Sequence, residues 1–243
     1  MPGDVQVHGD SGPLVLLLSG GAESCNGFFP GLVEGLVEEP GCRVVVHDRP
    51  GTGTSDEEGS LADAASHLAG LVQRLDRGPA IVVGQSLGGA VALLLAMSHP
   101  EAVAGLALID PTPINDAPLC ARLEQGMVFM RRLARVPGVS GVLRAAVVAG
   151  VRWSMRGKSL RPDCEAVLEK IAHHDIVKLA DAVRGISTLS AEFRAAQLPT
   201  IPALLVTADR KPSDPIARSH SELATALGTP LVTWPGASHC AHL

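Results

Sequence analysis

The sequence predicts an α/β fold built on a doubly wound, mostly parallel sheet, and three observations carry that prediction. Short Val/Leu/Ile runs recur along the chain, helix-length segments separate most of them, and one long helical stretch interrupts the alternation. The runs are Leu14–Leu18, Arg43–His47, Ala80–Val83, Gly105–Ile109, Ala203–Thr207 and Leu231–Trp234. Each is largely apolar on both faces, the pattern of strands covered on both sides in a parallel sheet. A further strand-like stretch lies around Val5–His8. Among the helical segments, Leu61–Leu75 opens at Ser60 with Asp63 three residues on, a capping-box-like pair. Ala90–Ser98 is the second, and Ile216–Leu227 follows Asp214-Pro215, which puts a proline in a first helical turn. Strands alternating with helices imply right-handed crossovers and helices on both faces of the sheet.

The interruption runs from Thr112 to about Pro199, with helical pattern and no convincing strand. It predicts a helical cap over residues 112–199, inserted into a core made of residues 1–111 and 200–243. The first half of the cap is strongly basic: residues 118–162 hold nine Arg or Lys against a single Glu.

Composition narrows the function classes. Of 243 residues, 46% are hydrophobic and 19% charged, which suits one domain with a large core and argues against disorder. Aromatic residues are scarce, four Phe and two Trp with no Tyr, so there is no stacking platform for nucleic-acid bases. A net charge of −5 leaves no global nucleic-acid footprint either. The five cysteines are scattered, odd in number and without metal-like spacing, which favours a reduced, cytoplasmic protein. The first residues, "MPGDVQVHGD", lack the basic start and apolar core of a signal peptide. No apolar run reaches the roughly 20 residues that cross a bilayer. "VLRAAVVAGVRWSM" comes nearest, and arginines interrupt it.

Gly84-Gln85-Ser86-Leu87-Gly88 matches G-x-S-x-G between a predicted strand and a predicted helix. A serine on so tight a turn has a strained backbone, and its neighbours two positions away must lack bulk. The turn lifts Oγ above the carboxyl end of the strand, beside a helix N-terminus that favours negative charge. A serine hydroxyl needs a histidine base and a carboxylate to orient it. His239 in "WPGASHCAHL" lies on a short Gly/Ser loop just past the last strand and is the expected base. His242 is expected to be solvated on the same loop. His173 and His174 precede Asp175, but adjacent helix positions face apart, so no metal site is expected there. Three carboxylates compete for the acid. Asp209, just after the Ala203–Thr207 strand, ranks first, Asp110 at the end of the strand before the cap second, and Asp214 third. The oxyanion donors are expected from the backbone N–H of Gly21, with Ala22 as the alternative donor there, and of Leu87. "HDRPGTGTS", residues 47–55, lacks the spacing of a phosphate loop and reads as a structural turn.

Taken in order, "LLLSGGAES", "VVVHDRPGTGTS", "VVGQSLGG", "LLVTAD" and "WPGASHCAHL" resemble the α/β-hydrolase superfamily. The resemblance spans Leu14 to Leu243 apart from the cap. It implies the α/β-hydrolase fold with a lid inserted after the strand that is sixth in the family, a Ser86–Asp209–His239 triad, and an oxyanion hole at Gly21 and Leu87. The sequence departs from the family in three places. Ser19-Gly20 replaces a common His-Gly, and Lys211 stands where the acid loop usually carries Asp. Four residues follow His239 where the family adds a helix. The expected activity is hydrolysis of a carboxylic ester, lactone or thioester by way of an acyl-enzyme on Ser86, without metal or organic cofactor. The alternative on the same fold is a ligand-binding or signalling protein, or a lyase or cyclase. The expected partner is a small-molecule acyl substrate, and the basic cap raises an anionic substrate or carrier against the plainer reading of a solvated amphipathic face.

Overall fold

The computed structural model describes residues 5–136, 138–154, 157, 160–173 and 175–243. Their strands are β1 (Val5–His8), β2 (Leu14–Leu18), β3 (Arg43–His47), β4 (Ala80–Gln85), β5 (Val103–Ile109), β6 (Ala203–Thr207) and β7 (Leu231–Thr233). Their helices are α1 (Leu32–Glu38), α2 (Ala64–Leu75), α3 (Leu87–Ser98), α4 (Ala117–Ala134), α5 (Val139–Ser154), α6 (Pro162–Ala172), α7 (Ile176–Val183), α8 (Ile186–Glu192) and α9 (Pro215–Leu227). The strands form one sheet in the order β1-β3-β2-β4-β5-β6-β7, parallel except for β1, which runs antiparallel to β3.

Alternation along β2 shows why its sequence is apolar throughout. Leu14, Leu16 and Leu18 enter the core layer that holds α2 and α3, while Val15 and Leu17 enter the opposite layer with Phe28, Phe29 and Val44. Successive side chains of a strand point to opposite faces, so a strand covered on both has no polar face to show. Behind the sheet, every residue of α3 from Leu87 to Ala96 is buried.

Several boundaries differ from the sequence reading: β5 starts two residues earlier, at Val103, and β7 ends one residue earlier, at Thr233. The Ser60 hydroxyl donates to Asp63 Oδ2 at 2.5 Å, but residues 61–63 form a turn and α2 starts only at Ala64. α3 begins at Leu87 rather than Ala90, because Gly88 and Gly89 sit inside its first turn where the backbone is crowded. A Cβ on Gly88 would stand 2.3 Å from the Leu18 carbonyl oxygen, and one on Gly89 2.6 Å from Pro111 Cβ. β4 runs two residues further than its apolar run, to Gln85. α9 starts as its sequence suggests: Asp214 is the N-cap, accepting from the Ile216 N–H at 2.8 Å, and Pro215 opens the helix.

The strand order fixes where ligands can bind. From β2 the chain crosses to β3 on one side and then returns to β4 on the other. The connections therefore diverge at the carboxyl ends of β2 and β4, and such switch points leave a crevice in open α/β sheets. Ser19-Gly20-Gly21 leaves the end of β2 there, and Ser86 the end of β4.

The 47–55 loop is a structural turn that shapes this crevice. Buried Asp48 accepts from the Cys25 N–H at 2.6 Å, the Ser24 hydroxyl at 2.8 Å and the Thr54 N–H at 2.8 Å. Gly53 donates its N–H to Ala22 at 2.9 Å. One carboxylate thus holds the loop after β2 against the loop after β3.

Helices α4 to α8 occupy the chain between β5 and β6, with no strand among the described residues. The single acid of the basic segment is structural there. Glu124 on α4 accepts from the backbone N–H groups of Gly185 at 2.6 Å and Ser187 at 3.1 Å, at the start of α8. A carboxylate at a helix N-terminus satisfies donors that lack intrahelical partners. None of the five cysteines enters a disulfide, four of them are buried, and no helix among the described residues is long and apolar enough to cross a membrane.

The packing of α3 yields a stability prediction. Leu93 is fully buried at its centre, so Leu93→Ala should cost about 2–5 kcal/mol in urea unfolding with folded-state spectra retained. A loss below about 1 kcal/mol would place Leu93 outside the close-packed core.

Candidate active site

Ser86 has φ 50° and ψ −117°, outside the regions that L-residues favour. Strain of this kind costs about 1–3 kcal/mol and persists only where the surroundings enforce it. Here its N–H donates to the Ile109 carbonyl at 3.1 Å, and its own carbonyl accepts from Gly89 at 3.0 Å, Ala90 at 3.2 Å and Thr112 at 2.8 Å. The turn is locked to the end of β5 on both sides. Gly84 completes it, since a Cβ there would lie 2.5 Å from the Gly88 carbonyl oxygen. The three glycines are thus required by close approach of backbone to backbone, and Ser86 alone carries the unusual dihedral.

The hydroxyl so presented meets His239. Its Nε2 lies 2.8 Å from Ser86 Oγ, and its Nδ1 lies 2.5 Å from Asp110 Oδ2. With Asp110 ionised, Nδ1 holds the proton and donates it, leaving Nε2 to accept from the serine hydroxyl. Asp110 follows β5 directly, with φ 45°, and its side chain is 1% exposed. Its Oδ1 accepts from the Ala208 N–H at 3.0 Å, and Arg210 clamps both oxygens, with Nη2 2.6 Å from Oδ2 and Nη1 on Oδ1. Burial on its own would raise the carboxyl pKa. Hydrogen bonds from His239 and Arg210 outweigh burial and hold it well below the usual carboxylate range.

The expected ranking of acids is therefore corrected. Asp209, ranked first, does not face His239: its Oδ2 accepts from the Gly236 N–H at 2.8 Å, and its own N–H donates to Ala237 at 3.0 Å. It clasps the loop that carries His239. Asp214, ranked third, is the α9 cap. The physical reason lies in the strand ends. Ser86 is hydrogen-bonded to the last residue of β5, so the next residue, Asp110, already stands beside the elbow. Chain order could not separate these carboxylates, since Ser…Asp…His holds for each.

His242 is also corrected, because it is not solvated. Its ring stacks on Phe28 with centroids 4.4 Å apart and meets Phe29 edge-on at 5.7 Å. His173 stands exposed with Nδ1 2.7 Å from the Glu169 carbonyl, and His174 lies outside the described residues. Gly21, with φ 56°, and Leu87 both line the cavity above Ser86. As the first residue of α3, Leu87 has an N–H without an intrahelical partner.

Three contributing residues escaped the sequence reading. Gln85 donates its Nε2 to the His239 carbonyl at 2.9 Å, fixing the loop from below. Arg210 neutralises Asp110, and its signal was present: a cation follows the strand where an acid loop was sought. His220 on α9 is fully buried, with Nε2 2.8 Å from the Pro111 carbonyl and Nδ1 2.8 Å from the Thr207 hydroxyl. A lone helical histidine offers no such signal in sequence.

The cavity has a volume of about 490 Å³. Ser86 and His239 lie on one wall, while Phe28, Leu123, Met127, Leu179 and Ile216 make much of the remainder apolar. Leu123 and Met127 come from α4 and Leu179 from α7, so the inserted helices form part of the cavity wall.

Three histidines lowered by burial predict an acid-sensitive fold. Burial, then the neighbouring His239, pushes His242 down to about 3. Burial likewise lowers His220, and it lowers His67, whose Nε2 meets His47 Nε2 at 2.8 Å. A histidine lowered by folding binds its proton more readily in the unfolded chain, whose pKa is about 6.5. The stability it contributes is present above that value and declines as pH falls toward the folded pKa. The urea midpoint should therefore drop between about pH 7.5 and pH 5.5, and equal midpoints would contradict neutral buried histidines.

Comparison with known proteins places this geometry in context. The chain matches the Alpha/beta hydrolase family over residues 15–243. It is 37% identical over 114 residues to Lipase LipV of Mycobacterium tuberculosis, covering 46% of this chain and 42% of that protein. It is 32% identical over 160 residues to Esterase Rv0045c of the same organism, covering 63% and 51%. The matched part of the chain spans about half the length, or less, of such curated relatives. In structure it resembles the thermophilic esterase from Thermogutta terrifontis, with a TM-score of 0.73 and 23% identity over 97% of this chain and 85% of that one. It also resembles the enol-lactonase from Burkholderia xenovorans, with a TM-score of 0.74 and 21% identity over 98% and 90%. With its fold, its seven-stranded sheet and the match over residues 15–243, the chain belongs to the alpha/beta hydrolase family.

Proposed function

We propose that the protein is a serine hydrolase that cleaves a carboxylic ester, lactone or thioester bearing an apolar acyl group. One observation carries this reading: the continuous hydrogen-bonded line from Ser86 Oγ through His239 to Asp110. His239 Nε2 takes the hydroxyl proton as Ser86 Oγ attacks the acyl carbon. The backbone N–H groups of Gly21 and Leu87 receive the oxyanion of the tetrahedral intermediate. His239 then returns the proton to the leaving oxygen or sulfur, giving the acyl-enzyme. A water deprotonated by the same nitrogen attacks the ester, and the acid departs as Ser86 regains its proton.

Asp110 holds the imidazole in the required tautomer and stabilises the imidazolium that forms, and Arg210 holds Asp110. The apolar lining from Phe28, Met127 and Leu179 fits a hydrocarbon acyl chain, with helices α4 and α7 as the lid. The names of the relatives, a lipase and an esterase among the curated proteins and an esterase and an enol-lactonase among the solved structures, agree with this chemistry. A non-hydrolytic role would be favoured by a missing acid, and Asp110 on His239 supports the hydrolytic one instead.

Turnover of a short-chain p-nitrophenyl ester and labelling by a fluorophosphonate test the reading together. Ser86→Ala should abolish both, and Asp110→Asn should lower kcat by about 10³–10⁴. Asp209→Asn should stay within about tenfold of the parent, because its carboxylate only braces the loop. Normal turnover in the Ser86 variant, or a larger loss for Asp209 than for Asp110, would overturn the assignment.

A further inference from the structure

We infer that the outer face of the cap, formed by α4 and α5, is a docking surface for a lipid bilayer that carries anionic headgroups. The sequence marked α5 as its nearest approach to a membrane segment, and the fold leaves that helix on the outside. It packs chiefly on α4 and α6, and none of its described side chains is buried. Val142, Ala145, Ala149 and Trp153 recur at spacings of three and four, so they share one helix face. All four are exposed, Val142 by 71% and Trp153 by 76%. An amphipathic helix normally turns such a face inward. This one turns it toward solvent.

The neighbouring α4, which packs against α5, bears a second exposed set. Arg122, Phe129 and Arg132 lie seven and three residues apart on one face of it, all exposed, and Phe129 is 59% accessible. Val136 and Arg135, just beyond the helix, are exposed as well. A chain with four Phe and two Trp thus exposes one of each on these two packed helices. Isolated exposed apolar residues need no explanation, whereas an apolar helix face rimmed by cations does.

Charge selects the occupant. Among the described residues Arg122, Arg132 and Arg135 enter no ion pair, whereas Arg131 is matched by Asp181 and Arg152 by Glu169. The segment is strongly cationic within a chain of net charge −5. A second copy would bring the same cations face to face, which repels. Anionic headgroups are attracted to the arginines while the aromatic and aliphatic groups reach the acyl boundary, the division of labour of interfacial helices. Helix α4 joins the two environments, since Leu123 and Met127 on it line the cavity beside Ser86. An apolar substrate leaving the bilayer would meet the cavity wall on the same helix.

Vesicle co-sedimentation tests the surface without using the chemistry at Ser86. The probes are vesicles of phosphatidylcholine and vesicles mixing phosphatidylcholine with phosphatidylglycerol at about two to one. Partitioning should be about tenfold or more stronger on the mixed vesicles and should weaken with salt. In a Trp234→Phe background, Trp153 emission should shift to the blue on binding. Phe129→Ser with Trp153→Ser, and separately Arg132→Glu with Arg135→Glu, should each weaken binding about tenfold while leaving p-nitrophenyl ester turnover unchanged. Failure to bind the mixed vesicles overturns the inference. So does binding that the arginine pair abolishes but the aromatic pair leaves intact, the result expected of an acidic protein partner. Concentration-dependent dimerisation in ultracentrifugation that the aromatic variants abolish would assign the face to a second copy instead.

Discussion

The site depends on one buried carboxylate. Asp110 is almost wholly removed from water, where an isolated charge is costly unless it is paired and hydrogen-bonded. The fold meets that requirement with three partners from two segments: Arg210 and the Ala208 N–H from the segment after β6, and His239 from the loop after β7. Each partner stands on a segment leaving the carboxyl end of a parallel strand, so the sheet edge and the ion cluster define each other. Removing Arg210 would leave the carboxylate with less compensation than its burial demands, and removing Asp110 would strand a guanidinium that is itself largely covered.

The strain at Ser86 arises from the same arrangement. A residue with φ 50° persists there because its N–H and carbonyl are both bonded to the segment that runs from Ile109 into Thr112. Asp110 lies between those two bonds. Ser86 and Asp110 are thus held by one short stretch of backbone. Only His239 stands on a loop, and Gln85 and Asp209 fasten that loop at its carbonyl and at Gly236.

The strand runs, the crossover pattern, the tight turn at Ser86 and the loop position of His239 were legible in the sequence because each obeys a local rule. Apolar runs bounded by breakers mark β2 to β7, and glycine spacing marks a turn in which backbone approaches backbone. The carboxylate partner of His239 was not legible in this way. Choosing between Asp110 and Asp209 requires knowing which strand end lies beside the elbow, and that is set by the pairing of β4 with β5 rather than by any neighbouring residue. His220 and Gln85 act across more than 100 residues of chain in their contacts with Pro111 and His239, so no window of sequence contains both ends. The start of α3 was misplaced for a simpler reason. Glycines argue against a helix by propensity, but here crowding by the Leu18 carbonyl and Pro111 makes any larger residue worse.

The bond from Glu124 to the start of α8 has a mechanical consequence. Because that carboxylate takes two backbone donors at once, α4 cannot swing away from the cavity as a separate flap without leaving both unsatisfied. Displacement of α4 therefore carries α8 with it, and the Ser190 hydroxyl on α8 is bonded in turn to the Ile114 carbonyl at 2.6 Å, close to the exit of β5. The wall of the pocket is geared to the strand that leads into Asp110. A bulky guest pressing on Leu123 pushes against the frame that positions Ser86 and Asp110, so the cavity's tolerance for size is set by the stiffness of that linkage as much as by the empty volume.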